Sequence, residues 1–222
     1  MFLESIIVWL HVLLFVYWLG GDLGVFYSSR FRNSANYDIQ TRQLIARITS
    51  NIDMAPKTTM VLMIPIGFSL VAIKNLWLLS DWLIIFFWLF GLAWLVLVWW
   101  LHLTKDAKKK APWAKFDLIL RYILCAVLVI FSITSLLYQY PLVENWLALK
   151  VLLFALTIFC GIMIRISVKP YILAFAKVIQ DGSSPEIEKQ LNESAAKARM
   201  WVKAIWVLIS IAALIGIWKP II

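Results

Sequence analysis

The chain contains very few of the residues on which most soluble enzymes depend. It has only 2 histidines and 2 cysteines in 222 residues. The sequence shows no phosphate-binding glycine loop, no Ser–His–Asp pattern and no CxxC motif. No helix carries the HxxxH or ExxH spacing of a non-haem metal site. These absences exclude conventional soluble-enzyme chemistry and a disulfide framework. Cys125 and Cys160 both lie within apolar runs, so we predict that they are small packing residues.

Acidic residues are scarce as well, with 12 Asp and Glu against 21 Lys and Arg, for a formal net charge of +9. The basic residues are grouped: five lie in 28–57, six in 104–121 and seven in 165–203, which leaves Lys74, Lys150 and Lys219. Loops on the cytoplasmic side of a membrane carry such an excess of Lys and Arg. We therefore attribute the charge to membrane topology and predict no nucleic-acid partner.

Apolar residues supply most of the chain, at 63%, against about 45–50% in a typical soluble domain. They form runs of the length that crosses a hydrocarbon core, about 20 helical residues. The fold class predicted is all-α: a polytopic transmembrane helical bundle, one integral membrane domain over 1–222 in contact with the lipid bilayer. The six spans are about 4–27, 58–79, 82–103, 117–138, 146–166 and 201–219.

The three basic segments fall on one side of a six-span topology. The positive-inside rule then places both termini outside and predicts a multi-pass protein of a bacterial cytoplasmic (inner) membrane. Short connections predict two antiparallel hairpins, one from the second and third spans and one from the fourth and fifth. Ser184 followed by Pro185 is typical of a helix start, so we expect a cytoplasmic helical segment at about 168–200.

Ionisable residues inside the predicted spans are the first candidates for function, because charge in a bilayer is costly and often marks a site. His11 lies roughly 10 Å inside the outer boundary. Lys150 enters the membrane from the same side, so the two should share one depth. Asp22 lies near the inner end of the first span. His102 is close to the cytoplasmic boundary, about 20 Å from His11 along the membrane normal, which predicts an interfacial residue and no shared haem iron.

Two interpretations stay open for each of these residues. One helix face carries His11, Phe15, Trp18 and Asp22. Asp22 is therefore either a proton relay or a carboxylate paired with a cation near the inner boundary. The candidate cations are Lys57, Arg121 and Arg165. Lys150 either belongs to a site or extends its ammonium to the interface. The thioethers of Met54, Met60 and Met63 could bind Cu(I) or simply pack.

Three segments resemble those of the CopD-like and HemJ-type bacterial membrane proteins. They are WLHVLLFVYWLGGDLGVFY, MAPKTTMVLMIPIGFSL and WLALKVLLFALTIF. His11 matches the first-helix histidine of that group, and Lys150 matches a lysine one turn after a tryptophan. HemJ-type proteins are protoporphyrinogen IX oxidases that bind haem b, and CopD-like proteins are linked to copper passage. The whole-chain pattern also resembles bacterial membrane proteins of this length that have no assigned activity.

The resemblance implies a membrane oxidoreductase that binds haem b. On that resemblance, His11 is the axial metal ligand. Lys150 would be the second ligand or the partner of a haem propionate, and Asp22 would assist protonation or hold the bundle together. Two alternatives of other classes remain. One is a non-enzymatic accessory subunit of a larger membrane complex, or a homo-oligomer. The other is a copper or small-solute transporter.

Overall fold

The computed structural model describes residues 2–78 and 80–221. Within those residues the chain is entirely helical apart from its connections. The helices are α1 Phe2–Arg32, α2 Ile39–Ile52, α3 Met54–Ile73, α4 Trp82–Leu103, α5 Ala107–Tyr138, α6 Asn145–Asp181 and α7 Pro185–Trp218.

Six of these helical stretches are long and apolar enough to cross a membrane, which confirms the predicted all-α bundle. The second stretch, Ile39–Ile73, joins α2 and α3 end to end. The basic segment 28–57 is therefore not the loop that hydropathy predicts. α1 continues through it to Arg32, and α2 begins after Asp38, whose side chain accepts a hydrogen bond from the Thr41 amide. An N-cap of this kind satisfies a free amide and starts a polar helix outside the apolar runs.

The two predicted hairpins are present. α3 packs against α4, and α5 packs against α6. The connections of the two hairpins also meet. Trp77 and Leu142 form an isolated antiparallel bridge, and the Leu78 amide donates to the Pro141 carbonyl at 2.8 Å. These bonds tie the four helices together at one end. This end of the bundle lies away from the basic segments, and we call it the opposite end. The end that carries the basic segments is called the basic end.

α3 is the most enclosed helix of the bundle. Small residues let it approach its neighbours closely. A Cβ on Gly21 of α1 would come within 2.6 Å of the Pro56 ring, and one on Gly91 of α4 would come within 3.0 Å of the Pro65 ring. Gly24 of α1 similarly admits Ile52. The glycines of the first span therefore serve close packing, as small residues do in membrane helices.

α6 and α7 continue well beyond the apolar spans. The 37 residues of α6 give a rod of about 55 Å, against a hydrocarbon core of about 30 Å. The turn between them follows the prediction: Gly182 adopts a positive φ of 89°, and Ser184 caps α7 by accepting from the Ile187 amide. The helical segment at 168–200 is therefore two helix extensions that pack on each other.

A second, smaller core lies between these extensions at the basic end. Its buried residues are Tyr171, Ala174, Val178, Leu191 and Ala195. Arg42 of α2 joins it to the bundle, since its guanidinium holds Glu188 at 2.6 and 3.2 Å and donates to the Arg32 carbonyl at 2.9 Å. Arg42 is 1% exposed, so this bidentate pair is shielded from water.

Candidate functional site

The predicted polar face of α1 points into the bundle. Trp18 and Asp22 are buried on it, at 5% and 9% exposure, whereas the flanking Val16, Tyr17 and Leu23 are exposed. The periodicity therefore identified the inward face correctly.

His11 and Lys150 meet inside the bundle near the opposite end. The Lys150 ammonium lies 3.5 Å from His11 Nε2, at the long end of hydrogen-bond distances. An ammonium has only donors, so Nε2 is the acceptor. Lys150 therefore does not extend to the interface. We call these two residues, from α1 and α6, the His–Lys pair.

Two glycines lie against the His–Lys pair. A Cβ on Gly216 of α7 would come within 2.5 Å of the Lys150 nitrogen, so a side chain there would force the ammonium to shift from its present position. A Cβ on Gly67 of α3 would sit 3.8 Å from Cε1 of His11. Four helices thus surround the pair, and two of them do so with glycine.

The His–Lys pair is incompletely satisfied. His11 Nδ1 is buried and has no hydrogen-bond partner in the part of the chain that the structure describes. The Lys150 ammonium has no carboxylate within ion-pair distance among the same residues. Buried polar groups without partners are uncommon and call for an explanation. Because Nε2 is the acceptor, a neutral imidazole carries its proton on Nδ1, which is therefore a buried donor without a partner.

Asp22 does not form any of the ion pairs considered for it. Lys57 instead pairs with Asp53, and Arg121 and Arg165 both pair with Asp117. The Asp22 Oδ2 atom is buried and lacks a hydrogen-bond partner within residues 2–78 and 80–221. Asp22 lies eleven residues, about 16 Å, from His11 along α1. It is therefore a separate polar position and does not belong to the His–Lys pair.

A third polar group, centred on Asp117, was not predicted. Its carboxylate is completely buried and accepts from Trp94 Nε1 at 2.7 Å, Arg121 Nε at 3.2 Å and Arg165 Nη2 at 2.5 Å. We call Trp94, Asp117, Arg121 and Arg165 the ionic cluster. It links α4, α5 and α6 near the basic end. The signal in the sequence was the i,i+4 spacing of Asp117 and Arg121 at the start of a span.

Arg121 also determines the surroundings of Met60. Its Nη1 donates to the Met60 sulfur at 3.4 Å, and its guanidinium lies 5.2 Å from the Trp94 ring centre. A sulfur held by a cation is a poor ligand for a copper cation, which the same charge repels. In the described residues, no group of three or more His, Cys, Asp or Glu could hold a metal ion. For Met60, the contact with Arg121 therefore favours packing over copper binding.

His102 and the cysteines lie outside the polar groups described above. His102 lies in the last turn of α4 at the basic end, with its ring 6.2 Å from that of Trp99. That location agrees with an interfacial residue. Cys125 and Cys160 are both free thiols, and Cys125 donates to the Ala155 carbonyl. They pack between helices, as the sequence predicts.

Comparison with known proteins identifies no relative: no protein-family model, no curated protein and no solved structure matches this chain. The resemblance to CopD-like and HemJ-type proteins therefore rests on its three sequence segments and stays a prediction.

Proposed function

We propose that this multi-pass membrane protein is a redox protein of a bacterial cytoplasmic membrane that binds haem b at the His–Lys pair. The observation that supports the proposal is the contact of His11 with Lys150 inside the bundle, with His11 Nδ1 left unpaired. Imidazole is the commonest protein ligand of haem iron, and the protein tunes its potential through ligands and surroundings.

The residues at the His–Lys pair fit a haem in their chemistry. His11 would bind the iron through the lone pair of Nε2, in place of its contact with Lys150, while Nδ1 keeps the proton. Lys150 would serve as second ligand or as the cation for a propionate, and it has no carboxylate of its own to compete for that charge. Gly67 presents no side chain to the imidazole. When bound, haem supplies one-electron chemistry. Asp22, three turns away, would accept protons at the basic end.

The test is the absorbance spectrum of protein purified from haem-replete cells, before and after reduction with dithionite. We expect Soret and α bands at near-stoichiometric amount in the natural protein. His11→Ala should abolish them, whereas His102→Ala, the matched histidine control, should keep them. Full haem in His11→Ala would disprove the ligand assignment. A colourless natural protein that co-purifies with other membrane proteins would instead indicate an accessory subunit.

Lys150 can be tested separately from His11. Lys150→Met keeps the size of the side chain but removes its nitrogen and its charge. We expect this variant to change the spectrum or lower haem occupancy, and Lys150→Arg to restore occupancy only where the residue acts as a propionate partner. An unaltered spectrum and occupancy in Lys150→Met would remove Lys150 from the site.

A second candidate, proton-coupled transport of a small solute, is favoured by Asp22. Its carboxylate is buried in a span with an unpaired oxygen, and such residues mark proton and ion pathways in transporters. If the protein is such a transporter, liposomes that contain it should take up protons or a solute. Asp22→Asn should abolish this uptake, and Asp38→Asn, outside the spans, should not affect it. Equal uptake by both variants would rule out Asp22 as the coupling residue.

A further inference from the structure

A cavity opens between α1 and α7 at the basic end of the bundle. It has a volume of about 660 Å³ and is lined by Phe26, Arg30, Ala196, Arg199, Met200 and Lys203. The two helices touch just inside it, where the rings of Phe26 and Trp206 lie 5.0 Å apart. Beyond that contact the cavity extends towards Arg30 and Arg199. Its inner wall is therefore aromatic and its outer part is basic.

The lining residues carry three positive charges and no negative one. Within residues 2–78 and 80–221, none of Arg30, Arg199 and Lys203 forms an ion pair with a carboxylate. The Arg30 guanidinium lies 5.3 Å from the Phe26 ring centre, which holds it against the wall. Three unpaired cations around one cavity repel each other, and a bound anion would remove that cost.

The depth of the cavity indicates which anion it would bind. Arg30 follows the first predicted span, 4–27, and Arg199 and Lys203 flank the start of the last, 201–219. These positions correspond to the level of lipid headgroups. Basic pockets between membrane helices on the cytoplasmic side bind anionic headgroups, and guanidinium donors match the oxygens of a phosphate.

We propose that this cavity binds a phosphate group, supplied either by an anionic phospholipid headgroup or by a free phosphate. Arg199 and Lys203 of α7, together with Arg30 of α1, hold the phosphate oxygens. Phe26 and Met200 contact the apolar part of a lipid. The bound group joins the ends of α1 and α7, which otherwise make few contacts with each other.

The test is lipid binding to the delipidated, full-length protein in detergent, measured by native mass spectrometry and by thermal unfolding. We expect phosphatidylglycerol to bind and to raise the unfolding temperature, and phosphatidylcholine to do so much less. Arg199→Gln/Lys203→Gln should bind phosphatidylglycerol at least about tenfold more weakly, because charge-assisted bonds are lost. Lys189→Gln/Lys197→Gln makes the same charge change on α7 outside the cavity and should bind normally.

Inorganic phosphate, compared with chloride at equal ionic strength, distinguishes the two sources. If phosphate alone stabilises the natural protein and the control but not the cavity variant, the ligand is a free phosphate. Stabilisation by phosphatidylglycerol alone identifies a lipid. Arg30→Gln provides a second variant on another helix in case the double variant does not fold. Equal binding of both ligands to the natural protein and the cavity variants would overturn the proposal.

Discussion

The His–Lys pair and the ionic cluster both place charge inside the bundle, but they differ in how completely that charge is satisfied. The Asp117 carboxylate accepts from three donors on three helices, and within the described residues the cluster leaves one buried atom, Arg121 Nη2, without a hydrogen-bond partner. His11 has a single long contact and one unpaired nitrogen. A satisfied buried network fixes the structure, whereas an unsatisfied one costs stability. The comparison suggests that the ionic cluster holds the fold together and that the His–Lys pair is kept for another reason.

The largest effect should come from Asp117→Asn. The change leaves Arg121, which is buried at 4% exposure, next to Arg165 without a carboxylate between them. Removing one partner of a buried ion pair costs about 3–5 kcal/mol. Thermal unfolding in detergent should show this loss. Asp106→Asn is the matched control, because Asp106 is the exposed N-cap of α5 and Asn caps equally well. Equal unfolding of both variants would refute a structural role for the cluster.

Arg42→Gln should have the next largest effect. It breaks the bidentate bond to Glu188 and the bond to the Arg32 carbonyl, a loss of about 2–3 kcal/mol. Because Arg42 joins α2 to the helix extensions, we also expect faster proteolysis within 168–200. Arg47→Gln, on the exposed side of the same helix, should leave both properties unchanged. If the two variants behave alike, pairing at Arg42 does not hold the extensions.

Lys150→Met should cost no stability and so sharpen the contrast with Asp117. The substitution removes a buried charge that has no carboxylate partner, and apolar replacement of buried charge is often neutral or stabilising. We expect no loss of stability and at most a gain of about 1–4 kcal/mol, measured by thermal unfolding alongside Lys219→Met. A loss as large as that of Asp117→Asn would make the His–Lys pair a structural element.

Lys74→Gln should have the smallest effect. Lys74 pairs with Glu4 at the opposite end, and both side chains are partly exposed. Surface ion pairs contribute little, so we expect no measurable change in the unfolding temperature. This variant shows the smallest change in unfolding temperature that the series of variants can resolve. A clear fall in its unfolding temperature would show that exposed ion pairs stabilise this bundle.

The sequence was sufficient to predict the six spans, the inward face of α1 and the shared depth of His11 and Lys150. Each follows from hydropathy, helical periodicity or the distribution of Lys and Arg. Which helices touch does not follow from these patterns, so the contact itself came only from the structure.

The ionic cluster was missed for a related reason. Asp117 lies at the edge of a predicted span, where a buried carboxylate and a loop carboxylate have the same sequence neighbours. Arg121 and Arg165 were considered as partners of Asp22, because depth alone did not distinguish the two carboxylates. α2 was missed, and α5, α6 and α7 are longer than the predicted spans, because hydropathy detects only the apolar part of a helix.

α6 supplies partners to both polar groups, Lys150 to His11 and Arg165 to Asp117. This arrangement has a consequence for biosynthesis. The first five helices leave the ribosome before α6, so His11 enters the membrane 139 residues ahead of its partner. The Asp117 carboxylate has Arg121 and Trp94 from the outset, but Arg165 arrives later. Both polar groups therefore stay incomplete until α6 enters the membrane.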